Sequence, residues 1–246
     1  MSIEALFFMM IAFIFGGLLK GATGAGAPIL AVPAMALFFD VQFAVAAFVI
    51  PNILTNLWQA WQMRHDLPCR RLVWPFALSG MLGALGGSVA LAYVHLDILT
   101  LGIASVMLLY IGFRYVNPRW KLSMLMGVKL AVPAGLIGGF LQGASGVSAP
   151  VSITFLSAMH LARKAFIATI SIFFLMMGAV QVPSLIYLGI LTSERALFSC
   201  VALIPLFAFM PVGAMLARFL SPERFNQMLL ALLFLLAMRL IYSVVV

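Results

Sequence analysis

Charge is what this 246-residue sequence has least of: Asp, Glu, Lys and Arg make up 8% of positions, against about 25% in an ordinary soluble domain. Hydrophobic residues fill 65% and mean hydropathy is +1.20, so the chain cannot cover itself with polar surface and must face mainly lipid. Acids are scarcest. Glu4, Asp40, Asp66, Asp97, Glu194 and Glu223 all lie at the ends of apolar runs or between them, which disfavours a proton or sodium relay built on a mid-membrane carboxylate. Two cysteines, Cys69 and Cys200, have no CxxC partner, and three histidines are scattered; no metal, structural disulfide or cofactor is expected. The apolar runs carry no Ser-His-Asp, HExxH or paired-carboxylate constellation, so an enzyme is not expected. The two-residue alternation of a membrane barrel is also missing, which leaves helices as the way to satisfy the backbone in lipid.

What the chain has is apolar runs, over 3–19, 28–39, 41–63, 72–94, 98–116, 124–141, 149–159, 165–190, 196–219 and 225–245. Most can cross a bilayer. The runs 28–39 and 149–159 reach only about 17 Å at 1.5 Å per residue, roughly half of a 30 Å hydrocarbon layer, and read as half-helices. The first run has no basic segment before it and no small-residue cleavage site after it, so it is expected to be retained. The net charge of +8 comes from basic residues placed mainly between the runs; membrane topology accounts for them, and nucleic acid is not an expected partner.

Within the runs lies a repeat. Gly16-Gly-Leu-Leu-Lys-Gly-Ala-Thr-Gly-Ala-Gly-Ala-Pro28 aligns with Gly138-Gly-Phe-Leu-Gln-Gly-Ala-Ser-Gly-Val-Ser-Ala-Pro150 at an offset of 122, with 8 of 13 positions identical. Each copy directly precedes a half-helix. If each copy and its half-helix form a hairpin that returns to its starting side, Arg64, Arg70, Arg71, Arg114, Arg119, Lys121, Arg163, Lys164, Arg218 and Arg224 share one face, and Arg195 and Arg239 lie opposite. Counting each broken segment as one crossing lowers that split from ten against two to eight against four, so the positive-inside rule favours hairpins. The expected fold is an all-α polytopic membrane protein of two inverted-topology repeats, 1–118 and 119–246. Each would be a broken, re-entrant helical hairpin plus three transmembrane helices, with both termini outside.

The glycine-rich breaks suit a binding site. Gly21, Gly24, Gly26, Gly143 and Gly146 let the backbone turn and be approached closely, and Pro28 and Pro150 suit the first turn of each half-helix. Irregular backbone at membrane depth has to be buried in protein or line a watery cavity. Two helix N-termini pointing inward, each with free N–H groups and about half a positive charge, outline an anion site near the bilayer midplane. Lys20 adds a full charge; Thr23, Gln142, Ser145 and Ser148 add neutral donors, with Ala22 and Ala144 in the same segments. Close helix packing is the other reading of these glycines, and an interfacial lysine the other reading of Lys20. Asn52, Asn56 and Gln59 share one helix face, and Gln181 matches Gln59 at the same offset. They line a substrate path or hydrogen-bond helix to helix, and the pattern does not choose between the two.

The segments GGLLKGATGAGAPIL and GGFLQGASGVSAPVS, together with the glycines at 80, 83, 86 and 87, resemble those of the sulfite exporter TauE/SafE family of membrane permeases across essentially the whole chain. The resemblance implies transport of sulfite, an organosulfonate or another small organic anion, usually outward across the bacterial inner membrane. The motif positions it carries over are Gly21, Thr23, Gly24, Gly26, Pro28, Gly143, Ser145, Gly146 and Pro150. Lys20 stands where the second copy has Gln142, so the two breaks need not act alike. An anion channel or a non-transport subunit of a membrane assembly is the alternative, and a homodimer through a lipid-facing surface stays open.

Overall fold

A computed structural model describes residues 3–117, 120–217 and 222–245, with no strand among them. The repeat boundary at 118/119, Arg119, Arg218 and the side chains of Glu4, Glu223 and Arg224 lie outside the described residues. Ten α-helices follow in order: α1 (Ile3–Thr23), α2 (Ala27–Ala36), α3 (Val41–Gln62), α4 (Arg70–Tyr93), α5 (Leu96–Val116), α6 (Met124–Ser145), α7 (Ala149–Ala158), α8 (Arg163–Tyr187), α9 (Ser193–Leu216) and α10 (Pro222–Val245). Seven of them, α1, α3, α4, α5, α6, α8 and α9, are long and apolar enough to cross a membrane. The 122-residue offset recurs in the helix boundaries: α1 ends at Thr23 and α6 at Ser145, and α2 and α7 occupy 27–36 and 149–158.

One expectation needs correction. The glycine-rich segment is not broken throughout, because α1 continues through Gly16, Gly17, Lys20 and Gly21 to Thr23, and α6 runs to Ser145. Within the two glycine-rich segments, irregular backbone is confined to residues 24–26 and 146–148. Most of the glycines serve helix contact instead. A Cβ on Gly17 or Gly21 would overlap the carbonyl oxygens of Leu206 or Met210 on α9; one on Gly139 or Gly143 would overlap those of Gly80 or Ala84 on α4. In lipid, where chains gain nothing by leaving water, such close backbone approach is a main source of helix association.

These contacts also give directions. Along α4 and α6, Gly80 meets Gly139 and Ala84 meets Gly143; along α9 and α1, Leu206 meets Gly17 and Met210 meets Gly21. Both pairs run parallel, and both join one half of the chain to the other. α3 also lies parallel to α9, through the Phe43–Phe198 and Trp58–Phe207 ring contacts and the Asp40–Arg195 ion pair. Since α1 and α3 share a direction, the short α2 between them has to return, which makes α1–α2 a hairpin. α8 crosses α3 in the opposite sense, with Gly178 at Ile53 and Ser171 at Gln59.

Pro51 interrupts α3 and leaves the Ala47 carbonyl without its helical donor. Ser199 of α9 supplies one: its Oγ donates to Ala47 O at 2.9 Å and accepts from Ile50 N at 3.2 Å. In a separate cluster, Phe76 stacks on Phe173 at 4.0 Å between centroids and tilts against Phe155 at 5.3 Å, so α4, α7 and α8 share one core.

Two stability measurements check this packing. Gly139→Val should lower the thermal midpoint in detergent by the equivalent of at least about 1–3 kcal/mol, as overpacking does. Gly102→Ala, where the added carbon meets nothing within 4 Å, should be neutral or stabilising by up to about 1 kcal/mol.

Candidate functional site

The two turns are built alike. Thr23 Oγ1 donates to Leu19 O at 2.8 Å and accepts from Ala25 N; Ser145 Oγ donates to Leu141 O at 2.7 Å and accepts from Val147 N. Gly24 and Gly146 then take left-handed conformations, φ +83° and +71°, and their N–H groups close on Lys20 O and Gln142 O. A positive φ is where glycine is least strained. α2 and α7 start at Gly26 and Ser148 with no side chain capping them and with proline in the first turn. The hydroxyls of Thr23 and Ser145 are therefore committed to ending one helix and turning the chain.

Each tip is seated on the opposite half. The face of Gly24 is covered by Ile167 of α8, and that of Gly146 by Val45 of α3 with Val32 of α2; Val45 and Ile167 are themselves 122 residues apart. Gly24, Gly26, Gly146 and Ser148 are all buried. Branched aliphatic side chains close over the glycines, so the tips are occluded in this conformation. Gly21 and Gly143 present their open side to the backbones of α9 and α4.

Lys20 is the exception in an apolar interior, with 0% exposure. Its Nζ donates to Asn56 Oδ1 at 2.9 Å and lies 5.9 Å from the centre of the Phe174 ring. Asn56 Nδ2 in turn donates to Asn52 O and to Asn52 Oδ1, both at 2.7 Å. The i, i+4 spacing on α3 thus becomes a short chain of dipoles with its oxygen end on the ammonium. Among the described residues the ion pairs are His95–Asp97 and Asp40–Arg195, and neither involves Lys20. A buried cation held by one neutral oxygen and one ring face has lost its hydration without gaining a counter-charge.

The matching position of the other half is neutral. Gln142 is 1% exposed; its backbone oxygen accepts from Gln181 Nε2 at 3.3 Å, and its side-chain Oε1 is buried without a partner. Gln59 Oε1 accepts from Ser171 Oγ at 3.4 Å. The sixteen residues singled out from the sequence therefore separate: Lys20 lies with Asn52 and Asn56, Gln59 meets Ser171, which was not among them, Gln142 meets Gln181, Gly21 and Gly143 serve the helix contacts, and the rest form the two turns with Ala22 and Ala144 beside them.

A family model for the sulfite exporter TauE/SafE matches residues 9–240, nearly the whole chain. The chain belongs to the sulfite exporter TauE/SafE family. No curated protein and no solved structure gives a significant match. As a TauE/SafE member with seven helices fit to span a bilayer, it is a multi-pass protein of a membrane transporter family.

Besides Ser171, sequence reasoning missed two members of this candidate site. Phe174, whose face Lys20 approaches, occupies the position equivalent to Asn52, so the repeat itself could have pointed to it. Arg163, counted only as a topological charge, donates from Nη2 to Ala22 O at 3.2 Å and so satisfies a carbonyl at the C-terminal end of α1, a usual place for a basic group. No local signal marks that contact, because 141 residues separate the partners.

Lys20→Met should raise the thermal midpoint of the purified protein, since it removes an uncompensated buried charge at similar volume. Gly146→Ala should lower it by the equivalent of about 1–2 kcal/mol, the cost of a left-handed alanine.

Proposed function

We propose that the chain carries a small anion, sulfite or an organosulfonate, outward across the inner membrane and binds it beside Lys20. The buried, uncompensated ammonium carries this reading. An anion entering next to it supplies the missing counter-charge, and Asn56 turns an amide donor toward its oxygens by giving up its bonds to Asn52. The N-termini of α2 and α7 and the Gln142–Gln181 pair are the further polar groups of the path, α2 and α7 contributing the positive ends of their dipoles.

The two halves are read as inverted repeats across the bilayer, with the arginine-rich face cytoplasmic and both termini outside. The opposite directions of α3 and α8 and the return of α2 between the parallel α1 and α3 support this reading. Alternating access is favoured over an open channel because Lys20 is fully buried and both tips are covered, by Ile167 and by Val32 with Val45. Transport then needs the hairpins to part from α3 and α8.

Sulfite and taurine-type sulfonate fluxes in proteoliposomes test the site. Lys20→Ala should cut flux about 10- to 100-fold, given that a hydrogen bond to a charged group contributes about 1.5–3 kcal/mol, while Lys20→Arg should keep a measurable part of it. Unchanged flux in Lys20→Ala would remove Lys20 from the path. Single-cysteine replacements at Arg163 and Arg195, labelled with a membrane-impermeant reagent, should react from opposite sides; labelling from one side would refute the inversion.

A further inference from the structure

A second polar site lies away from Lys20. A cavity of about 80 Å³ between the C-terminal ends of α5 and α7 is lined by Arg114, Asn117, Trp120, Thr154, Ser157 and His160. No acidic side chain lines it. It adjoins an apolar groove of about 1080 Å³ along α5, α6 and α7, and the two share Phe113 and Asn117. Leu108, Leu109, Val116 and Ile137 are among the groove's walls.

The fold does not require all of this polarity. At the offset of 122, Thr154, Ser157, His160 and Arg114 correspond to Val32, Met35, Phe38 and Leu236, while Asn117 and Trp120 correspond to Arg239 and Tyr242, so the equivalent corner of the other half keeps a cation and an aromatic ring but has neither the two hydroxyls nor the imidazole. Nor does the protein use all of it. Thr154 is 9% exposed and its hydroxyl has no hydrogen-bond partner, although buried hydroxyls normally find one. Trp120 meets Phe113 edge-on at 5.2 Å, and Leu122 N binds Ala158 O, which brings the start of the next segment against the end of α7.

We propose that this corner holds an anionic phospholipid, its phosphate in the cavity with Arg114, Thr154, Ser157 and His160, and an acyl chain along the groove. Cation and hydroxyl donors suit phosphate oxygens, and tryptophan suits the level of the headgroups. The groove is apolar and shares Phe113 and Asn117 with the cavity, an adjoining apolar space that a free oxyanion does not need. Arg114 belongs to the basic face read as cytoplasmic, where anionic lipids draw positive charge.

Native mass spectrometry and thermal unfolding of the full chain in mild detergent, titrated with phosphatidylglycerol, phosphatidylcholine or inorganic phosphate, test the proposal. Wild type should retain and be stabilised by phosphatidylglycerol at least fivefold more effectively than by phosphatidylcholine, with inorganic phosphate inert. Thr154→Val removes a hydroxyl that holds no protein partner and installs the residue found at position 32. It should fold normally and lose most of that preference. Gly112→Phe, at a position with nothing within 4 Å, should weaken binding of both lipids by filling the groove. Stabilisation by inorganic phosphate equal to that by phosphatidylglycerol, and unaffected by Gly112→Phe, would make it a free-oxyanion site and overturn the proposal. Equal response to both lipids in wild type, or a dimer dispersed by Gly112→Phe, would overturn it as well.

Discussion

The contact of backbone on backbone between α1 and α9, and between α6 and α4, governs the rest of the structure. Glycines at 17, 21, 139 and 143 let these helices approach until carbonyl oxygens stand where side chains would be. Each contact crosses from one half of the chain to the other. The first helix of either hairpin is therefore positioned by the opposite half, and the turn at its end is carried onto α8 or α3, where Ile167 or Val45 covers it.

That crossing explains how an irregular backbone survives in an apolar interior. The turns are only three residues long. Their local groups are satisfied by Thr23 and Ser145, and Arg163 reaches the Ala22 carbonyl beside the first. The same principle settles Pro51, which leaves the Ala47 carbonyl without its helical donor until Ser199 donates a hydroxyl to it. In lipid no water is at hand to finish such bonds, so donors come from distant parts of the chain. Lys20 stands apart because its ammonium has a hydrogen bond and a ring face but no opposing charge.

Much of the architecture was legible beforehand, because the signals that specify it are periodic or repeated. Hydropathy placed the spanning helices, and the offset of 122 placed both turns and both short helices. The extent of the breaks was not legible. A glycine that ends a helix and a glycine that lets another helix close in leave the same letter in the sequence, and only the positive φ at Gly24 and Gly146 separates them from Gly21 and Gly143. Within the site, Asn52 and Asn56 could be placed on one face, but their partner could not, since Lys20 lies on another helix. The polar corner at Thr154 and His160 escaped notice because its residues come from separate segments and its hydroxyls and imidazole have no polar counterparts in the other half.

The pairing of α1 with α9 also has a consequence for how the protein is made. Gly17 rests on Leu206, so 189 residues separate the partners. At a synthesis rate of about 5–20 residues per second that gap lasts roughly 10–40 s. For that interval the glycine face of α1, with Lys20 beside it, has left the ribosome before the helix that covers it exists. The first hairpin therefore enters the membrane as an unfinished surface, held open until the ninth helix is threaded in beside it.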